Sequence, residues 1–309
     1  MLKTSLPVKV LLWNFNQEAI AMPENINYLE KVDAMVGLRG LTKGTHTYYL
    51  SMCRRFLNWC DTMKIEPAEI SYEQVQQYVF HLIRNVKYAP KTVNSNISFI
   101  RFFFLYVLHR PIDRYWLPYQ RVDRRPPEIL SEKEVFQFIN ALPNLKDKAI
   151  ITLLYSCGLR ISEVVSLQYK DISRERMMVY IEHTKNHSAR YVPLSEKALN
   201  VLTEYWRAWG KPKEWLFPGK KPDTHLSTNS VFSVIKDTRD RLGWQNKRIT
   251  SHTFRHCMGT HMYEAGYDLR YIQTFMGHKS INSTTIYVTL TGKRGYKNLM
   301  DSMDGEIEV

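Results

Sequence analysis

The sequence predicts a mainly α-helical protein of two domains, the second of which carries a small antiparallel β-sheet. Three observations support this fold class. Apolar residues recur every three or four positions through most of the chain. A proline-containing run without periodicity separates two such regions. Residues 177–194 alternate instead and are rich in Val, Tyr and Ile, which is typical of a β-hairpin.

The first region predicts a compact all-helical domain over residues 1–111, of which residues 1–23 form an arm of unassigned structure. A short helix is expected over 25–36, and an amphipathic helix over Thr45–Lys64. Ser71 and Gln74 form a capping-box pattern at the start of the next helix. A fourth helix, about 91–109, contains the run RFFFLYVL, which is too short to span a bilayer and predicts a buried helix.

Residues 112–126 hold prolines and several arginines without periodicity, and they predict a basic linker. The linker could cross a phosphate backbone or simply be solvated. The second domain is expected over 127–309 and begins with a capping box from Ser131 to Glu134. The predicted elements after it are a helix over 147–157, the β-hairpin, helices over 195–209, 228–242, 251–265 and 268–275, a short helix near 283–290, and a charged tail.

The chain is strongly basic in both halves. It carries 43 Lys and Arg against 30 Asp and Glu, for a net charge of +13. Residues 1–125 carry 17 basic and 10 acidic side chains, and the remainder carries 26 and 20. Such a charge favours a polyanionic partner, although many solvated lysines would give the same balance.

The four cysteines form no CxxC pair, and Cys53 and Cys60 lie seven residues apart in a helical pattern. This usage is typical of a reducing compartment and predicts the cytoplasm. The first residues lack a signal-peptide core, and no apolar run approaches the length of a membrane span. No membrane partner is therefore expected.

The chemistry-bearing residues predict a site for phosphodiester cleavage without a metal ion. Such cleavage needs fixed cations for the non-bridging oxygens, an in-line nucleophile and an acid for the leaving oxygen. The sequence HTFRH has two histidines at zinc-ligand spacing, but Thr253 stands where a catalytic Glu is required. Arg255 on the same turn would repel a cation, so neither a metal nor a cofactor is expected.

Two clusters supply the candidate groups. Arg160 and Glu163 lie at i and i+3 at the start of a predicted helix, where the helix dipole makes an anion favourable beside the guanidinium. Taken alone, they could be an ordinary surface pair. His252 and Arg255 are also at i and i+3, and His278 and Tyr287 follow them. Each of these could have a purely structural role, such as packing for Tyr287 or capping for His278.

The motifs GLRISEV, TKNHSARYVPL, HTFRH, MGH and TTIY occur in an order and approximate spacing that resemble the tyrosine recombinase (phage integrase) family. The closest resemblance is to its compact Xer-type members, and it extends over nearly the whole chain. It identifies the first region with the family's SAM-like core-binding domain and the second with its catalytic domain. Met276 replaces the usual Leu before Gly-His, and Asn186–His187 replace the common Gly-Asn, which could alter the hairpin's flexibility.

The resemblance implies a role for each candidate residue. Arg160 and Arg255 would clamp the phosphate, and Lys185 in the hairpin would be the general acid. His252 would assist proton transfer, and His278 would be a further phosphate donor. Tyr287 would be the nucleophile that forms a 3′-phosphotyrosine, and Glu163 would support Arg160. The tail could dock on a neighbouring protomer through Tyr296, Leu299, Met300 and Met303, or simply fray.

The implied function is site-specific DNA recombination or integration, as in mobile elements, by four protomers on paired double-stranded DNA sites through a Holliday junction. Two alternatives stay open. One is a type IB-like topoisomerase that relaxes DNA by the same chemistry. The other is a non-catalytic DNA-binding accessory protein on the same scaffold.

Overall fold

The computed structural model describes residues 28–123, 125–182, 189–212, 214–221 and 223–290. The chain divides after Asp123 into two compact units. The predicted fold class is confirmed, because the described residues are mostly helical and include a three-stranded antiparallel sheet. The predicted arm, the connection that carries Lys185 and the tail beyond Leu290 lie outside the described residues.

The first unit contains four helices among its described residues: α1 (Tyr28–Leu38), α2 (Lys43–Met63), α3 (Tyr72–Arg84) and α4 (Pro90–Tyr106). Helix α2 begins two residues before the predicted start because the side chain of Thr42 accepts a hydrogen bond from the backbone of Thr45. The expected capping box of Ser71 and Gln74 is present at the start of α3. Residues Cys53 and Cys60 face the core of this unit.

Aromatic side chains from three helices form the core of the first unit. The ring of Phe56 on α2 lies 5.0 Å from that of Tyr78 on α3 and 5.5 Å from that of Phe103 on α4, both edge to face. Phe99, Phe103 and Phe104 are fully buried. The apolar run of α4 is therefore a core segment of this unit, as its length predicts.

The non-periodic run after α4 packs on the first unit as far as residue 120. Asn94 of α4 donates to the carbonyl of Gln120 and accepts from its backbone N–H, at 2.9 and 2.7 Å. Arg101 donates to the carbonyl of Leu117 at 2.6 Å, and Leu117 is buried. These side-chain bonds to backbone replace the hydrogen bonds that regular structure would supply.

The second unit begins with α5 (Glu132–Asn140), α6 (Leu145–Ser156) and the short α7 (Ile161–Val165). Strands β1 (Ile172–Ser173), β2 (Met178–Ile181) and β3 (Arg190–Pro193) follow, and then α8 (Glu196–Ala208) and α9 (Thr228–Arg241). Helices α10 (Ser251–Glu264), α11 (Leu269–Met276) and α12 (Ile286–Leu290) complete its described elements. The capping box of Ser131 and Glu134 is present at the start of α5.

The sheet has the order β1-β2-β3, and both pairings are antiparallel. Tyr180 pairs with Tyr191, and Ile181 pairs with Arg190, so β2 and β3 form the predicted hairpin. Val179 and Val192 face the core of the second unit, together with side chains of α6, α8 and α10. Among the described helices, none is both long and apolar enough to cross a bilayer. All four cysteines are buried, free thiols.

Candidate active site

Arg160 and Glu163 meet at the start of α7. Gly158 adopts a positive φ of 56° and turns the chain after α6, so that Arg160 becomes the N-cap of α7. The Glu163 carboxylate accepts from the backbone N–H of Arg160 at 2.9 Å and from its Nη1 at 2.9 Å. The side chain of Glu163 is 1% exposed and that of Arg160 is 21% exposed. The carboxylate is thus fixed inside the protein, and part of the guanidinium faces outward.

Arg255 lies inside the second unit on α10, where it is 3% exposed. Its Nη1 donates to the carbonyl of Gly158, and its Nη2 donates to the carbonyl of Met276 at 2.6 Å. Burial and the nearby charge of Arg160 lower the pKa of Arg255 to about 10, so it remains a cation at neutral pH. The two carbonyls hold the guanidinium between the turn before α7 and the end of α11.

His278 follows a left-handed turn that ends α11. Gly277 is the C-cap with a φ of 63°, a conformation that glycine adopts without strain. The Nδ1 of His278 lies 2.9 Å from the hydroxyl of Thr284, which is buried. Burial, together with Arg255 and Arg160, lowers the pKa of His278 to about 4. At neutral pH the imidazole is therefore uncharged and held in place by Thr284.

Tyr287 on α12 is fully buried. Its ring is nearly parallel to that of His278, at 6.3 Å and 17°, and lies 6.0 Å from that of His256. Among the described residues the hydroxyl has no hydrogen-bond partner. Burial raises the pKa of Tyr287 to about 12, although Arg255 and Arg160 act in the opposite direction. The phenol is protonated at rest and lies in the field of two arginines.

His252 occupies the first turn of α10, where its side chain is partly exposed. Partial burial and the charges of Arg255 and Arg160 lower its pKa. The structure therefore brings together Arg160, Glu163, His252, Arg255, His278 and Tyr287. The seventh candidate, Lys185, lies outside the described residues, between β2 and β3.

Two residues that the sequence did not single out also belong to this cluster. Arg190 at the start of β3 donates to both oxygens of Glu163, from Nη1 at 3.0 Å and from Nη2 at 2.9 Å. A signal for it existed, because strand alternation places Arg190 on the same face as buried Val192. His256 lies between His252 and Tyr287, and burial lowers its pKa to about 4. In the sequence, His256 was noted only as the second histidine of HTFRH, at zinc-ligand spacing from His252.

Except for an acid, whose predicted source Lys185 lies outside the described residues, this arrangement holds the kinds of groups that metal-free phosphoryl transfer uses. Two arginines offer donors to one anion, a tyrosine lies beside them, and neutral imidazoles are available to accept a proton. Within the described ranges, no group of three or more His, Cys, Asp or Glu side chains is placed to hold a metal ion.

Comparison with protein families places the chain. Residues 128–294 match the phage integrase family, and residues 28–114 match the phage integrase N-terminal SAM-like domain. The chain belongs to the phage integrase family of tyrosine recombinases. The predicted resemblance to its compact Xer-type members is also confirmed.

Two curated relatives show the extent of the similarity. An integrase/recombinase of Sinorhizobium fredii, y4qK, is 37% identical over 225 residues, which cover 72% of each chain. Tyrosine recombinase XerD of Vibrio vulnificus is 29% identical over 90% of this chain and 95% of its own. The similarity to XerD therefore includes most of both units.

Two solved structures share the fold of this tyrosine recombinase. One is the XerH site-specific recombinase bound to palindromic difH substrate in a post-cleavage complex. It has a TM-score of 0.69 and 18% identity, covering 89% of this chain and 82% of its own. The other is the Tn1549 transposon integrase in complex with circular intermediate DNA, with a TM-score of 0.69 and 17% identity, covering 90% and 99%.

Proposed function

We propose that the chain is a site-specific DNA recombinase that cleaves and rejoins double-stranded DNA through a 3′-phosphotyrosine. The observation that carries this proposal is the Tyr287 hydroxyl, which is buried beside His278 in the field of Arg160 and Arg255 and has no hydrogen-bond partner in the described part of the chain. A buried hydroxyl without a partner is costly, and a scissile phosphate would satisfy it. The difH substrate bound to XerH and the circular intermediate DNA bound to the Tn1549 integrase support the choice of substrate.

The proposed reaction is an in-line exchange of one phosphodiester for another. The Oη of Tyr287 attacks the phosphorus while the bond to the 5′-oxygen breaks. Arg160 and Arg255 donate to the non-bridging oxygens, whose charge increases in the transition state. Lys185 gives a proton to the leaving 5′-oxygen, and His252 receives the proton of Tyr287.

Religation reverses each of these steps. The 5′-hydroxyl of a partner strand attacks the phosphotyrosine, and Tyr287 leaves with a returned proton. Since one phosphoester replaces another, the exchange needs no ATP. His278 is assigned as a further donor to the phosphate, and Glu163 as the support of Arg160. A tyrosine with a pKa raised to about 12 attacks only when the phosphate and the proton acceptor are both in place.

The domains are assigned to separate parts of this task. Residues 1–111 would bind DNA as the core-binding domain, residues 112–126 would form the basic connection, and residues 127–309 would carry the active site. The positive balance of both halves supports contact of each with the phosphate backbone. Four protomers would pair two sites and exchange strands through a Holliday junction, as in integration or excision of a mobile element. The four buried free thiols support a cytoplasmic location.

The nucleophile is tested with a trapped covalent adduct. DNA segments that the protein retains are first selected from a random-sequence library. They are then synthesised as duplexes with a nick beside the cleaved bond. After cleavage the short fragment with the 5′-hydroxyl diffuses away, and the covalent adduct cannot religate. Wild-type protein should give an SDS-stable adduct, and Tyr287→Phe should give none while still retaining the DNA. Tyr271→Phe is the matched control, because Tyr271 is an exposed tyrosine on α11.

The outcomes separate the alternatives. An equal amount of adduct with Tyr287→Phe would contradict the assignment of the nucleophile. Retention of DNA without any adduct in the wild type would favour the non-catalytic accessory protein. Adduct formation together with relaxation of supercoiled plasmids that lack the retained segment would favour the topoisomerase.

A further inference from the structure

Arg190 occupies the same carboxylate as Arg160. Its guanidinium binds Glu163 in a bidentate geometry, with both Nη atoms within 3.0 Å of separate oxygens. Arg160 reaches the same carboxylate through Nη1 and through its backbone N–H. The Arg190 side chain is 12% exposed, so the ion pair with Glu163 is largely shielded from water. Among the described residues, the carboxylate thus accepts four hydrogen bonds, from Arg160 and Arg190.

The number of hydrogen bonds that Glu163 accepts from Arg190 determines how many donors of the Arg160 guanidinium remain free to bind an anion. A carboxylate and a guanidinium on their own prefer two parallel hydrogen bonds. Each oxygen accepts one hydrogen bond from Arg190 and one from Arg160, whose guanidinium reaches the carboxylate through Nη1. No further hydrogen bond of the Arg160 guanidinium occurs among the described residues. Without Arg190, both oxygens of Glu163 would be free to accept hydrogen bonds from the two Nη atoms of Arg160. The guanidinium of Arg160 would then point into the protein instead of toward an anion.

The charges of the cluster support the same conclusion. One carboxylate and two arginines leave an excess of one positive charge, and buried Arg255 adds another. Loss of Arg190 would leave Glu163 and Arg160 as a neutral pair, which has less attraction for a phosphate. Arg190 therefore affects both the direction and the net charge of the group that faces the anion.

Arg190 also contacts the residue before His278. A Cβ added to Gly277 would lie 2.9 Å from Cδ and 3.0 Å from Nε of Arg190, so the arginine packs directly against this backbone. The Nε is buried and has no partner among the described residues. Arg190 thereby touches two segments, one that presents Arg160 and one that presents His278, and it is itself the first residue of β3.

We propose that Arg190 is a positioning residue for strand cleavage. It donates to both carboxylate oxygens of Glu163, so that the guanidinium of Arg160 stays free to bind the scissile phosphate. This assignment rests on the proposed function, because it concerns the same phosphate. It extends that function by giving a third arginine a task that involves no contact with DNA.

The test compares two DNA substrates in single-turnover adduct formation with the full chain at saturating DNA. One nicked duplex carries the ordinary scissile phosphate, and the other carries an uncharged methylphosphonate at that position. On the phosphate, Arg190→Met should slow adduct formation about 10- to 100-fold, since displaced catalytic groups cost rates of that order. On the methylphosphonate, the variant and the wild type should react at closely similar rates, because the substrate no longer needs the second positive charge.

Two further variants distinguish positioning from simple support of the fold. Arg190→Lys keeps the charge but cannot fill both oxygens in a plane, so it should recover only part of the rate. Glu163→Gln combined with Arg190→Met removes the competing carboxylate and should cleave the phosphate faster than Arg190→Met alone. Arg239→Met is the control, because Arg239 pairs with Asp240 on α9, outside the cluster.

Each outcome decides the matter. Equal slowing of Arg190→Met on both substrates would show a general structural defect and overturn the proposal, as would an unchanged rate on the phosphate. In either case, a wild-type adduct that Tyr287→Phe abolishes would leave the proposed function intact. Absence of an adduct in the wild type would overturn both.

Discussion

Gly259 determines how closely the ring of Tyr287 packs on α10. A Cβ at position 259 would lie 2.5 Å from Cζ and 2.6 Å from Cε2 of that ring. The ring is buried, and its neighbours include His256, His278 and the apolar cluster of Ile272 and Met276, so it has little room to withdraw. A methyl group at this position would therefore move the phenol away from the two arginines.

Gly259→Ala is expected to reduce the rate of adduct formation about 100-fold, because displacement of a reacting group by about 1 Å costs a rate of that order. The measurement is single-turnover formation of the SDS-stable adduct at saturating DNA. Retention of the DNA segment should not change, since Gly259 is buried beneath the ring.

Gly37→Ala is the matched control for this substitution. Gly37 also lies in a helix, but a Cβ there would meet no atom within 4 Å. Alanine in an open helical position stabilises by up to about 1 kcal/mol, and cleavage should be unaffected. Wild-type rates of cleavage with Gly259→Ala would contradict the described placement of Tyr287.

Helices α10, α11 and α12 meet around Tyr287, and two uncharged imidazoles lie beside its ring. His256 belongs to α10, His278 follows α11, and Tyr287 lies on α12. Burial lowers the pKa of both histidines from 6.5 to about 4. Arg255 lies close to both and acts in the same direction. The packing of these elements therefore depends on histidines that stay neutral.

The second unit is expected to lose stability as the pH falls from 7 toward 4. The unfolded imidazoles bind protons near pH 6.5 and the folded ones only near pH 4, so the unfolded chain holds more protons in this window. The free energy of unfolding of the second unit therefore decreases as the pH falls. The contribution of the two neutral histidines to it is complete above about pH 6.5. Urea unfolding at pH 7.5 and pH 5.0 measures the difference.

The double variant His256→Asn and His278→Asn should show a smaller pH dependence of stability than the wild type. His109→Asn is the control, because His109 is an exposed residue of the first unit with a positive φ that Asn also tolerates. An identical dependence in the double variant and the wild type would show that these two imidazoles are not the source.

The sequence predicted the helices well where apolar spacing and capping residues agree. The capping boxes at Ser71 and Ser131 are present, and α10 begins at the predicted residue. The two-residue strand β1 was not predicted, because a strand of that length shows no alternation. The run over 112–120 packs on the first unit through side-chain bonds to backbone, as between Asn94 and Gln120, which leave no periodic signal.

The candidate site was predictable only through the combination of motifs. Arg160, Glu163 and Arg255 lie in motifs with fixed spacing, and the structure brings them together. Arg190 also lies in one of these motifs, but its role was not predictable, since its carboxylate partner is 27 residues away and is reached only through the pairing of β2 and β3. Packing was one predicted role of Tyr287, but the close approach of its ring to α10 depends on the absent side chain of Gly259, which leaves no pattern in the sequence.

At the scale of the whole molecule, the positive charge is spread along the chain. The excess of 13 positive charges is shared between the two halves. Neutralisation of phosphates by such a surface releases counterions from the DNA, and the affinity then depends strongly on salt.

The affinity of the full chain for its retained DNA segment is expected to fall about 10³- to 10⁵-fold between 50 and 200 mM salt, if about six to ten phosphates are contacted. Fluorescence anisotropy with labelled duplex measures the slope. Tyr287→Phe removes no charge and should give the same slope. An affinity nearly independent of salt would contradict a backbone-dominated complex.

The four buried cysteines have a practical consequence for labelling the protein in solution. Burial raises the pKa of Cys53, Cys60 and Cys257 to about 12 and that of Cys157 to about 11, so their thiolates are scarce at neutral pH. Thiolate is the form that reacts with maleimide dyes. A cysteine introduced at an exposed position such as Leu38 would therefore be the reactive handle. Donor and acceptor dyes on such a cysteine would test the proposed pairing of protomers without any native cysteine being replaced.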